Sequence, residues 1–222
     1  FGGFDLRGAD GAPVPLSSTK AKALLAYLAA RPGVAVPRAK IATLLWADRG
    51  EEQARASLRQ TLSVLRRVLG DADGRIVVSS AGGLNLDRDA LDVDLAAFEG
   101  AAESGTKDGL ERAASLYQGP FLDGAEVQSE PFEEWLRGER ARLAARAAEA
   151  ITKLLNLGPG NGDRAAALAL SAKLLRIDPL REDVHRAVMR LHLEDGSWNE
   201  AVRQFKECEA VLDAELGVAP GA

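Results

Sequence analysis

The apolar spacing of this chain changes character once, near residue 90, and that change limits the folds open to it. Before it, short alternating runs are mixed with three stretches of helical spacing. Beyond Val93 the strand signals vanish and helical spacing alone continues. The 222 residues are long enough for one large domain or two modest ones, and this change suggests two.

Residues 3–7 and 13–16 read as short strands joined by the turn-rich Gly8-Ala9-Asp10-Gly11. Ser17 or Ser18 is placed to cap a helix in which Ala21, Leu24, Leu25 and Leu28 repeat, and Pro32-Gly33 stops it. A second helix opens near Pro37, a favoured first-turn proline, and carries Ile41, Leu44 and Leu45 toward Trp46. After the polar stretch 47–52 a third runs from about 53 to 69, and Gly70-Asp71-Ala72-Asp73-Gly74 ends it. Residues 75–79 and 83–87 then look like a hairpin around Ser80-Ala81-Gly82. Strands, three helices and a closing hairpin follow the order of a winged helix-turn-helix.

The second part contains a partial repeat. Gly162 and, five residues on, Ala167-Leu168 recur as Gly196 and Ala201-Val202, an offset of 34 residues. That is the period of tetratricopeptide helix hairpins, in which small residues let paired helices approach closely. Asp178-Pro179 falls where one such unit turns into the next, and 108–113 with Leu116-Tyr117 gives a weaker echo. The expected fold is mainly α with a small β component. A winged helix-turn-helix over 1–90 is followed by an all-α tetratricopeptide-like helical-repeat domain over 91–222, with the boundary near 89–93 and no flexible linker.

Charge divides at the same place. Residues 1–90 hold 13 Lys/Arg against 9 Asp/Glu, whereas 91–222 hold 15 against 24, within an overall net charge of -5. Any phosphate binding is therefore expected in the first part. The third helix is the most informative segment. Leu58, Leu62, Leu65 and Leu69 make one narrow apolar stripe, and Gln60, Ser63, Val64 and Arg67 lie opposite, with Arg59 and Arg66 on one flank. No acidic residue occurs between Gln53 and Gly70, while Arg55, Arg59, Arg66 and Arg67 are all basic. Such a face suits a major groove: arginine pairs with guanine, glutamine with adenine, and a small apolar side chain meets a thymine methyl. The base-reading candidates are Arg59, Gln60, Ser63, Val64 and Arg67. Phosphate and wing candidates are Lys20 and Lys22 at the start of the first helix, Arg38 and Lys40 at the start of the second, Arg55, Arg66, Arg75 and Ser79. Taken singly, each of these cations is more often just a solvated surface charge; their value lies in clustering in the one segment of net positive charge.

Other chemistries find little support. His185 and His192 are the only histidines and have no matching ligand set, so packing or surface roles are expected, and no metal. Gly158-Pro159-Gly160-Asn161-Gly162 lacks the Lys-Ser/Thr of a phosphate-binding loop and reads as a turn. Cys208, the single cysteine, reads as a small buried hydrophobe and fits a reducing, cytoplasmic setting. No catalytic constellation, cofactor site, signal peptide or membrane span is expected. The chain opens on Phe1 rather than Met, as a piece of a longer protein would. A protein-interaction adaptor or signal-sensing module is the rival reading.

Several segments resemble the antibiotic-regulatory-protein (SARP) family of bacterial activators. They include Gly2-Gly3-Phe4, Lys20-Ala21-Lys22-Ala23-Leu24-Leu25, Leu44-Leu45-Trp46 and Ala54-Arg55-Ala56-Ser57-Leu58-Arg59-Gln60. Leu65-Arg66-Arg67, Leu116-Tyr117 with Gly119-Pro120-Phe121-Leu122, Trp135-Leu136, Asp178-Pro179-Leu180-Arg181-Glu182 and Glu215-Leu216-Gly217-Val218 continue the likeness in order. The resemblance implies an OmpR-type winged helix with residues 54–69 as recognition helix, and a bacterial transcriptional activator domain (BTAD) behind it. It also implies activation from directly repeated promoter sites on double-stranded DNA, a homodimer on that DNA, and contact with RNA polymerase holoenzyme, for which the loop 47–52 is a candidate.

Overall fold

A computed structural model describes residues 1–158 and 163–221. Helix α1 (Thr19–Ala29) is capped by Ser18, whose Oγ accepts from the Ala21 N–H at 3.3 Å. Residues from Ala23 through Leu28 are all buried, so α1 is the central helix around which the neighbouring elements pack. Helix α2 (Arg38–Leu45) begins one residue later than its proline: Pro37 sits at the N-cap itself, without a side-chain cap. Helix α3 (Glu51–Leu69) starts two residues before the expected Gln53. Its first turn takes in Glu51 and Glu52, where carboxylates favour the positive end of the helix. Gly70, left-handed at φ +66, ends α3 and lets the Asp71 N–H return to the Arg66 oxygen at 2.8 Å. Leu58, Leu62 and Leu65 are buried as their spacing predicts, together with Ala54; Leu69, beside the cap, is half-buried.

Strands β1 (Val77–Ser80) and β2 (Gly83–Leu86) form the expected hairpin, with Ser80 opposite Gly83 across the two-residue turn Ala81-Gly82. Val36 bridges to β2 from outside the hairpin: it exchanges two backbone hydrogen bonds with Leu84 at 2.8 and 2.9 Å. At Gly83 a Cβ would stand 1.9 Å from the Val36 oxygen, so only glycine allows this approach.

The two N-terminal strands expected at 3–7 and 13–16 do not form; a single bridge joins Arg7 to Pro13. The first residues find partners far away instead. Gln118 N–H donates to the Phe1 oxygen and Asp123 N–H to the Gly2 oxygen, both at 3.0 Å. Edge-to-face contacts of the Phe1 ring with Phe98 and Tyr117, at 5.0 and 5.2 Å, hold the segment there.

After the hairpin come α4 (Asp94–Ser104), α5 (Lys107–Leu116), α6 (Glu130–Leu157), α7 (Arg164–Ile177), α8 (Glu182–Glu194) and α9 (Trp198–Leu216). Contacts gather the described chain into two compact units, Phe1–Gly100 with Leu116–Leu143, and Ala101–Ser115 with Ala144–Ala222. In the second unit α8 packs on both α7 and α9. The repeat alanines Ala167 and Ala201 are both buried; Gly162, with the turn read at 159–162, lies outside the described residues. His185 is buried between α8 and its neighbours, bonded to the Pro179 oxygen at 3.0 Å and the Gln204 amide at 2.7 Å, and Cys208 is buried as well. Among the described residues no helix is long and apolar enough to cross a membrane.

Candidate nucleic-acid interface

The leucine stripe of α3 faces inward, so the opposite row is left to solvent. Arg59, Gln60, Ser63 and Arg67 are exposed, and Val64 is half-buried beside them. Neither Arg59 nor Arg67 enters an ion pair among the described residues. Beyond the first turn the helix has no carboxylate, and Arg55 is paired back to Glu51 one turn earlier. The outer face therefore offers uncompensated guanidinium, amide and hydroxyl groups, the donor and acceptor set that base edges require.

A groove of about 270 Å³ lies beside this face, with Arg38, Arg55 and Arg59 on its walls and Leu58, Leu62 and Leu84 beneath. Arg38 and Lys40, exposed in the first turn of α2, add charge where the free backbone N–H groups of the helix already favour an anion. Lys22 is half-buried, its Nζ 5.6 Å from the Phe4 ring centre. Arg75 is exposed near the base of the hairpin, 3.7 Å from Asp73.

Two of the cations singled out from sequence are already committed inside the protein. The Lys20 Nζ donates to the Leu45 oxygen at 2.6 Å and to the Gln128 oxygen at 2.9 Å. Burial lowers its pKa, Asp48 opposes that effect and Arg49 adds to it. Arg66 spans from α3 to the hairpin, donating to the Val77 oxygen at 2.7 Å and to the Ser79 Oγ at 2.9 Å. Ser79 is consequently an acceptor for Arg66 as well as an exposed residue of β1.

Sequence reasoning passed over two residues of this frame. Asp71 is 4% exposed and accepts from the Ile76 and Val77 N–H groups at 2.9 and 2.8 Å. Burial alone would raise its pKa, but those backbone bonds, with the N–H of Arg75 and the charge of Arg66, bring it below the ordinary value. Its signal was an aspartate just past a helix-ending glycine and six residues ahead of a strand. Arg49, in the exposed loop before α3, donates to the Ser57 Oγ at 2.8 Å and fastens that loop to the helix.

Three helices closed by a hairpin, with α3 exposed on one side, make a winged helix of the OmpR type. Residues 89–222 match the bacterial transcriptional activator domain family and residues 11–83 match the C-terminal domain of transcriptional regulatory proteins, and the chain belongs to the SARP family that joins the two. It is 30% identical over 223 residues to the regulatory protein AfsR of Streptomyces coelicolor, covering 95% of this chain and 22% of that protein. The transcriptional regulatory protein EmbR of Mycobacterium tuberculosis is 28% identical over 229 residues, 96% of this chain and 57% of its own length. RedD, a transcriptional regulator of S. coelicolor, is 29% identical over 91% of this chain and 61% of its own. The chain thus spans between about a fifth and three fifths of these relatives. A structure of M. tuberculosis EmbR in complex with a low-affinity phosphopeptide shares the fold, with a TM-score of 0.65 at 22% identity over 99% of this chain and 60% of that one.

Proposed function

We propose that this chain is a sequence-specific DNA-binding transcriptional regulator whose α3 enters the major groove. The carrying observation is the outer face of α3, where Arg59, Gln60, Ser63 and Arg67 stand exposed with no carboxylate beyond the first turn. Arg59 and Arg67 read guanine, Gln60 adenine, and Val64 with Ser63 the remaining edges. Arg38, Lys40, Arg55 and Arg75 hold phosphates, with Lys22 on the margin. Lys20 and Arg66 serve by fixing the frame, because their donors are spent on backbone oxygens.

Residues 1–90 form the DNA-binding domain in this reading and 91–222 the BTAD, acidic and helical, through which the regulator acts on other proteins. Family membership supports an activator that binds directly repeated sites as a homodimer and recruits RNA polymerase holoenzyme, with residues 47–52, the turn before α3 and its first two residues, as a contact point. Selection of bound fragments from a random DNA pool, at an ionic strength of about 0.15 M where non-specific attraction is screened, tests the reading. Enrichment of one motif repeated in the same orientation about one helical turn apart is expected. Salt-sensitive binding without enrichment overturns it in favour of a protein-docking adaptor.

A further inference from the structure

The second compact unit holds a cleft of about 470 Å³, large enough for a small metabolite and too small for a protein helix. Ala167, Ser171 and Leu174 of α7 share one face at helical spacing and form part of its lining, while Leu155 of α6 and Ala187 and Leu191 of α8 supply apolar wall. Against this apolar lining stand two hydroxyls. The Thr152 Oγ1 is buried without a partner, and Ser171, 2% exposed, lines the same cleft. Buried hydroxyls are almost always bonded, so the orphan at Thr152 points to a partner that arrives with a ligand.

Charge at the cleft is equally specific. Arg181 and Asp183 neutralise one another through paired bonds of 2.8 and 2.7 Å. Arg190 and Glu194 also line the cleft, one helical turn apart on α8, and neither forms an ion pair or side-chain hydrogen bond among the described residues. Their order, cation before anion, is the weaker one for pairing along a helix, which leaves both groups free for a third party.

We propose that this cleft is a receptor site for a free α-amino acid with an apolar side chain: Arg190 takes its carboxylate, Glu194 its ammonium group, and the apolar wall its side chain. The Ser171 and Thr152 hydroxyls bond the ligand directly or through a water carried in with it. The site would make the regulator responsive to a small effector, and its occupancy is independent of whether the chain binds DNA.

Isothermal titration of the 222-residue protein with L-leucine and L-phenylalanine tests the assignment. Saturable one-to-one binding is expected, weakened at least about 10-fold when 4-methylpentanoate or 3-methylbutylamine replaces leucine, since each lacks one charge-assisted bond. Arg190→Ala and Glu194→Ala, both exposed positions, are each expected to weaken binding about 10-fold with the melting temperature unchanged. Three results overturn the proposal: no saturation by any natural amino acid at about 10 mM, far above usual metabolite affinities; equal binding of the deaminated analogue; or unaltered binding by the Arg190→Ala/Glu194→Ala double variant.

Discussion

Arg66 and Val77 lie eleven residues apart in the chain and are joined by a hydrogen bond of 2.7 Å from the guanidinium of one to the backbone oxygen of the other. Through this bond the last turn of α3 fixes the first rung of the hairpin. Arg66 and Arg59, both basic and on one helix, therefore do different work.

Replacing Arg66 with Ala removes a charge-assisted bond to the backbone oxygen of the buried Val77, and a loss of about 1.5–3 kcal/mol of stability is expected. Arg59→Ala leaves the melting temperature unchanged and costs about 1–3 kcal/mol of discrimination at one base. Thermal melts beside a competition assay separate the two. Equal melting temperatures for both variants would contradict the structural role of Arg66.

Lys20 and Arg38 separate in the same way, with salt as the probe. Arg38→Ala is expected to flatten the dependence of log affinity on log salt by about 0.9, the release of one condensed counterion. Lys20→Ala should leave that slope alone and lower stability instead, because its ammonium group serves two backbone oxygens. Binding isotherms at four salt concentrations read both slopes.

Asp71 makes the hairpin base sensitive to acid. Its pKa in the folded protein lies below the unfolded value near 4, so its stabilisation is fully present above that value and is lost as pH falls through the lower one. Asp71→Ala, which strands two backbone N–H groups, should cost about 2–4 kcal/mol at pH 7. The gap between variant and parent should shrink in urea melts near pH 3, and a gap that stays constant across pH would refute the assignment.

Gly83→Ala meets a harder obstacle than lost flexibility. The new methyl would fall 1.9 Å from the Val36 oxygen at a backbone φ of +132, so the rung between Val36 and Leu84 must open. A loss of about 3 kcal/mol or more is expected in urea denaturation, with early hydrogen exchange at the Val36 and Leu84 amides.

How much of this was legible in the sequence depends on how far apart the interacting residues lie. Helix α3 was plain because its evidence is local: the leucine stripe and a glycine whose left-handed turn ends it. The Ser18 cap and the hairpin turn were legible for the same reason. The start of the chain misled because Phe1 and Gly2, just ahead of the expected first strand, find their backbone partners at 118 and 123, more than a hundred residues away and beyond the reach of any pattern of alternation. Sequence also showed that Lys20 and Arg66 are charged, but not that carbonyl oxygens at 45, 128 and 77 occupy them. On α3 it found the basic, acid-free outer row and gave no sign of which cations were already engaged.

The bracing of the hairpin bears on how such a protein can change. Asp71 and Arg66 grip its base and Val36 holds β2 at Leu84, whereas the turn Ala81-Gly82 projects past the last rung with no side-chain hydrogen bond among the described residues. Exchange of those two residues leaves α3 where it is. The tip is thus an interchangeable part: selection or design can retune what it touches without recalibrating the reading helix.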